Sequence, residues 1–148
     1  MVKSLTISLR CLATIIALAA ATAAVRADDA KGDNPLVGTW KIVFGKYGGV
    51  EFSRLSGTMT VKHITPTHYM WATYDKDGQV TRTAGGAYKF KDGVMESTPE
   101  YGFGADFQAI KGQRQSYKCK VEGNKWYQTG TLSTGQTLEE VWERVEKK

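Results

Sequence analysis

The chain is poor in cysteine, proline and histidine, and it has no apolar run long enough to cross a bilayer. Its 148 residues include 2 Cys, 3 Pro and 2 His. Cys11 lies in an N-terminal segment set apart below, so Cys119 is the only thiol of the remainder. One thiol cannot form an internal disulfide, and the fold must be held by a packed core and its backbone ladder. Cys119 is expected to be buried. There is no zinc motif, no Gly-x-Ser-x-Gly and no phosphate loop, so no catalytic or nucleotide-binding signature is present. Helical periodicity is scarce too, which turns attention to strands.

The first 27 residues read as a secretory signal peptide. Lys3 and Arg10 give a basic front, Cys11 to Val25 is apolar and uncharged, and Val25-Arg26-Ala27 places small residues where a signal peptidase reads them. An apolar run of roughly 15 residues falls short of the ~20 that span a bilayer. Cys11 precedes that run instead of ending it, which is not a lipoprotein arrangement. The expected location is secreted or periplasmic, with no membrane anchor after cleavage. Removing 27 of the 148 residues leaves 121, the size of one domain with a real core. The signal holds Lys3, Arg10 and Arg26 and no acid, so the formal charge falls from +5 to +2. A nucleic-acid partner loses its electrostatic basis, and Lys89, Lys91, Lys118 and Lys120 read as solvated strand faces.

Residues 28–35 read as a polar, flexible leader and 36–148 as one all-β domain. Period-two alternation marks strands over Leu36 to Phe44, Thr58 to Thr65, His68 to Tyr74, Gln79 to Ala84, Ala87 to Lys91, Val94 to Glu100, Gln113 to Glu122 and Lys125 to Leu132. Turns are expected at 45–49, at Pro66-Thr67, at 75–78, at Lys91-Asp92-Gly93 and at Gly123-Asn124, and Gly85-Gly86 is expected to punctuate two strands. Residues 101–112 are irregular, with room for one helical turn. Residues 137–146 fit two readings. Their alternation makes a strand, while Leu138, Val141, Trp142 and Val145 also fit an amphipathic helix. A strand is favoured, because a meandering sheet of eight to ten strands loses its exposed edges only by pairing its last strand with its first. The expected architecture is an up-and-down antiparallel β-barrel.

The two ends then carry a resemblance. Leu36-Val37-Gly38-Thr39-Trp40-Lys41 resembles the opening of calycins, the superfamily of lipocalins and fatty-acid-binding proteins. Glu140-Val141-Trp142-Glu143-Arg144-Val145 resembles the last strand of fatty-acid-binding proteins. The middle, with Lys62 to Tyr69 and Gly85-Gly86-Ala87-Tyr88, is similar to small secreted bacterial lipocalin-like domains. The resemblance implies a cup that holds a small molecule. It also implies a structural role for Trp40, packed under the guanidinium of Arg144 to close the barrel bottom. Two departures matter. The dozen residues between Phe44 and Thr58 are too few for the two-helix lid of fatty-acid-binding proteins. Their carboxylate-clamping Arg-x-Tyr pair is matched here by Glu140 and Trp142. A second carboxylate beside Glu140 would be repelled, so the expected ligand is apolar and neutral or cationic.

Candidate cavity-wall residues are His63, His68, Tyr74, Tyr88, Tyr117, Glu140 and Trp142. If Pro66-Thr67 is a two-residue turn, His63 lies opposite Met70, and both histidines share a face with Met59, Val61, Ala72 and Tyr74; an odd-length turn would separate them. That face reads as the interior, with Lys62, Tyr69 and Trp71 outside. Interior histidines would open a minor route to a metal or haem, although no third ligand is evident and diagonal neighbours at roughly 7–8 Å do not chelate one ion without converging. No cofactor and no catalytic residue is assigned. Two further functions stay open. One is an enzyme using His63 or His68 with Glu96, Glu100 or Glu140. The other is a filled barrel that acts as an interaction module through an exposed Tyr69/Trp71 face.

Overall fold

The computed structural model describes residues 34–51 and 57–146. The signal peptide read over 1–27 lies outside them, as does the leader up to residue 33. Ten strands and one short helix follow in order: β1 Gly38–Tyr47, β2 Val50–Glu51, β3 Met59–Ile64, β4 His68–Tyr74, β5 Val80–Lys91, β6 Val94–Ser97, β7 Tyr101–Phe103, α1 Ala105–Ile110, β8 Gln115–Glu122, β9 Lys125–Thr131 and β10 Thr137–Arg144. All pairings are antiparallel. Eight strands run in the order β1-β3-β4-β5-β6-β8-β9-β10, and β10 returns to β1. The sheet is a closed, lipocalin-like barrel, with β2 and β7 as short additions.

Alternation builds the wall. On β8, Gln115 and Tyr117 are buried between exposed Ser116 and Lys118. On β9, Trp126 and Gln128 are buried between exposed Lys125, Tyr127 and Thr129. Residues 137–144 are strand, and Leu138, Glu140 and Trp142 face in. The hairpin turns at Pro66-Thr67, where the Thr65 N–H donates to the His68 carbonyl at 2.9 Å. Its register sets His63 opposite Met70.

Three expectations are corrected. The first strand does not stop at Phe44. Its register shifts between Ile42 and Phe44, and this bulge exchanges the faces of the residues beyond it. Trp40 and Ile42 face in before the bulge; after it Gly45 is buried and Tyr47 reaches the interior, while Phe44 turns outward. Gly85-Gly86 is not a break either, because β5 passes straight through it. β5 pairs with β6 over its second half and with β7 over its first. A Cβ on Gly86 would run into the Thr98 carbonyl, so the dipeptide is the place where the returning chain crosses close to β5. Finally, the β3–β4 hairpin faces the other way round. Thr60, Lys62, Ile64, Tyr69 and Thr73 are buried, whereas His63, His68 and Met70 are exposed.

The core fills one end of the barrel. Leu36, Trp40 and Trp126 are fully buried, with Ile64, Tyr88, Met95 and Trp142 around them. Trp40 meets Trp126 edge-on at 5.5 Å between centroids, and Trp126 stacks on Trp142 at 5.9 Å. Arg144, opposite Trp40 in the closing ladder, lies 4.1 Å from its ring centroid. The Arg144 guanidinium also donates to the carbonyls of Val37 and Pro35, each at 2.8 Å. Trp40 Nε1 donates to the Leu36 carbonyl at 2.7 Å. Gly38, at φ 139°, lies where a Cβ would collide with that guanidinium. Asn34 and Pro35, at the end of the segment read as leader, are thus hydrogen-bonded to the barrel. Asn34 donates to the Tyr88 hydroxyl at 2.8 Å.

Candidate functional site

The end of the barrel away from Trp40 is hollow. A cavity of about 350 Å³ opens there, bounded below by Trp142 and Lys62 and above by Arg82, Asp106 and Ile110. The volume sits at the small end of the range for ligand pockets, roughly 300–1,000 Å³. α1 roofs part of the opening: Phe107 and Ile110 are buried, and Asp106 forms an ion pair with Arg82 of β5.

A charged pair occupies the floor. Lys62 Nζ stands 3.6 Å from Glu140 Oε2, and the two side chains are 6% and 7% exposed. Lys62 Nζ also lies 3.4 Å from Gln128 Oε1, 4.0 Å from the Trp142 ring centroid and 4.6 Å from that of Trp126. Glu140 accepts from the Tyr47 hydroxyl at 2.5 Å and from Trp142 Nε1 at 2.9 Å. The carboxylate therefore has a cation and two donors, the conditions under which a buried charge is tolerated. Burial pushes the Lys62 ammonium below its ordinary pKa, and the Glu140 charge resists that shift. Burial, reinforced by the same carboxylate, holds the Tyr47 phenol far above its usual range. Tyr117 is raised in the same way. Burial pushes Tyr69 up to about 12.

Higher in the wall, Thr60 and Thr73 bond across β3 and β4 at 2.8 Å, and Arg82 Nε donates to Thr73 Oγ1 at 3.3 Å. Tyr117 lines the cavity, and its hydroxyl makes no hydrogen bond to another described residue. Cys119, half-buried, has a thiol raised by burial and next to the Trp126 indole. Trp126 Nε1 is the one buried side-chain polar atom among the described residues that has no partner of ordinary hydrogen-bond geometry.

Of the residues singled out from the sequence, Tyr117, Glu140 and Trp142 come together on the cavity wall. Tyr88 belongs to the filled end, where its hydroxyl donates to the Thr65 carbonyl at 2.7 Å. Tyr74, on the same side of the hairpin as Met70, is half-buried outside the cavity. His63 and His68 stand on the outer wall. His63 Nδ1 is 3.1 Å from Thr39 Oγ1, and His68 Nδ1 is 2.8 Å from Thr67 Oγ1. The metal and haem reading was drawn for imidazoles inside the cup, and both stand outside it. Glu96 pairs with Arg114 at the surface and Glu100 is exposed. Among the described residues no three of His, Cys, Asp and Glu are grouped to hold a metal ion. The exposed Tyr69/Trp71 face that would have supported the interaction-module reading is not formed, because both side chains line the cavity.

Sequence reasoning missed Lys62, Tyr47 and Gln128. One signal was available for Lys62: an inward Glu140 needs a buried cation, and Lys62 alternates with Thr60 and Ile64 on one face of β3. Compared with known proteins, the sequence matches no family model and no curated protein.

Proposed function

We propose that the protein is an exported, lipocalin-like binding protein that holds a small, mostly apolar, uncharged molecule in the cup. The observation that carries this reading is the mixed lining of the cavity: Trp71, Met95, Ile110, Leu132 and Leu138 offer aromatic and aliphatic surface, and polar groups stand among them from the floor at Lys62 and Glu140 to the mouth at Arg82 and Asp106. Such a wall buries apolar ligand surface while the polar groups set its orientation. A cationic ligand, the second expectation from the sequence, loses its argument, since Lys62 already neutralises Glu140. An anion would have to share Lys62 with Glu140 at close range, which is repulsive. Membership of the calycin superfamily is part of this proposal and rests on the Gly38-Thr39-Trp40 opening and the Arg144 closure. Export rests on the signal-like residues 1–27.

Native mass spectrometry of protein purified gently from its own periplasm or medium tests the reading. The expected result is a chain beginning at Asp28 with a reproducible extra mass that leaves on denaturation. A bare chain that also fails to bind any member of a panel of small alcohols, ketones and esters would overturn it.

A further inference from the structure

A binding cup for an uncharged molecule has no evident need of a lysine in its floor. A buried ion pair adds little stability over apolar side chains of similar shape, and two indoles already close the space below. Yet Lys62 lies at the boundary between the packed tryptophans and the hollow, with its ammonium over two ring faces and beside a carboxylate. A desolvated lysine that meets a carbonyl compound in a dry pocket is the setting for imine chemistry.

We propose that Lys62 is an imine-forming site, and that the cup captures an aldehyde by condensation with the Lys62 amine. The proposal rests on the binding reading above and names its ligand class. The Lys62 ammonium passes a proton to Glu140, 3.6 Å away. The free amine attacks the aldehyde carbon, a C–N bond forms, and the carbonyl electron pair moves to oxygen. A proton moves from nitrogen to that oxygen and gives a carbinolamine. Glu140 returns its proton to the hydroxyl, water leaves, and the nitrogen lone pair closes the C=N bond. An ammonium and an aldehyde become an iminium and one water. The charge of the site is the same before and after, so Glu140 and the Trp126 and Trp142 faces stabilise the product cation as they did the ammonium. Burial depresses the Lys62 pKa and raises the fraction of free amine.

The test treats the purified protein with one equivalent of octanal and sodium cyanoborohydride, then maps the modified peptides by mass spectrometry. Octan-1-ol, which cannot form an imine, measures non-covalent binding through quenching of tryptophan fluorescence. The expected result is one octyl group on Lys62, blocked when octan-1-ol fills the cup beforehand. Lys62→Arg is expected to lose the adduct, and Glu140→Gln to slow capture by roughly 10²-fold, the usual worth of a positioned proton carrier. If octan-1-ol binds but octyl groups spread over surface lysines and spare Lys62, the imine site is wrong and the binding reading stands. If octan-1-ol fails to bind and the adducts are likewise unselective, the binding reading falls and the proposal with it. Should Lys62→Arg fail to fold, competition by octan-1-ol on the unaltered protein decides.

Discussion

The two ends of this barrel are built from the same alternating strands and are put to opposite uses. At one end Trp40, Trp126 and Leu36 leave no space, and Arg144 seals the bottom through a ring face and two carbonyls. At the other end the inward positions are Tyr47, Thr60, Thr73 and Gln128, residues whose polar atoms stop the walls from collapsing into an apolar core. Trp142 and Lys62 mark the border between them. A small barrel is filled or hollow according to the volume and polarity of its inward side chains, and here both outcomes occur along one axis.

The sharpest way to break the contrast is at the filled end. Trp40→Ala is expected to destabilise the fold by about 3–5 kcal/mol, the usual cost of removing a buried Trp, measured as the shift in urea midpoint. A midpoint within error of the unaltered protein would mean that the bottom is not closed by this ring. At the border, Lys62→Met strands the Glu140 carboxylate and is expected to cost about 3–5 kcal/mol as well. The double variant Lys62→Met/Glu140→Leu should recover most of that loss. A double variant as unstable as the single one would show that packing, and not the ion pair, fixes the floor.

The hollow end should respond to pH. Tyr69 keeps its proton to about 12 in the folded protein, against 10.0 when unfolded, and Tyr47 and Tyr117 are raised further. Between these values the folded state holds more protons than the unfolded one, so stability is full below pH 10 and falls as pH rises toward 12. Lys62 acts in the reverse sense, adding stability as pH climbs toward 10.5. Three tyrosines outweigh one lysine, and denaturation curves at pH 9 and 11 should show the net loss. No loss across that interval would place the phenols in contact with solvent. The smallest effect is expected from Tyr117→Phe. Loss of a hydroxyl without a partner among the described residues should change stability by less than about 0.5 kcal/mol, while affinity for a hydrogen-bonding ligand should fall measurably in a titration. An unchanged affinity would remove Tyr117 from the ligand's reach.

The hollow end was legible only in part: Tyr117, Glu140 and Trp142 were placed on its wall, while Lys62, Tyr47 and Gln128 were missed, for a physical reason. The resemblance of the two ends to calycins implied the pairing of Trp40 with Arg144, and the alternation of Tyr117, Cys119 and Val121 against Lys118, Lys120 and Glu122 gave β8 its faces. A polar cavity inverts that signal. β3 and β4 carry Met59, Val61, Met70 and Ala72 on one face and Thr60, Lys62 and Thr73 on the other; apolarity alone chose the first for the interior, and the barrel uses the second. The register survived the error, since it depends on the Pro66-Thr67 turn and not on which face is wet. Tyr47 was hidden by the bulge between Ile42 and Phe44, a backbone irregularity that reverses parity with no mark in the local composition.

The closing ladder has a kinetic meaning. Arg144 bonds to the Val37 carbonyl across 107 residues of chain, and β1 has no closing neighbour until β10 is complete. Contacts of such sequence separation form late and slow the search for the native state. During synthesis the first strand therefore waits, edge open, until β10 has emerged. The bottom seal cannot form before β10 is in place, and until then the open edge of β1 is exposed to pairing with a neighbour.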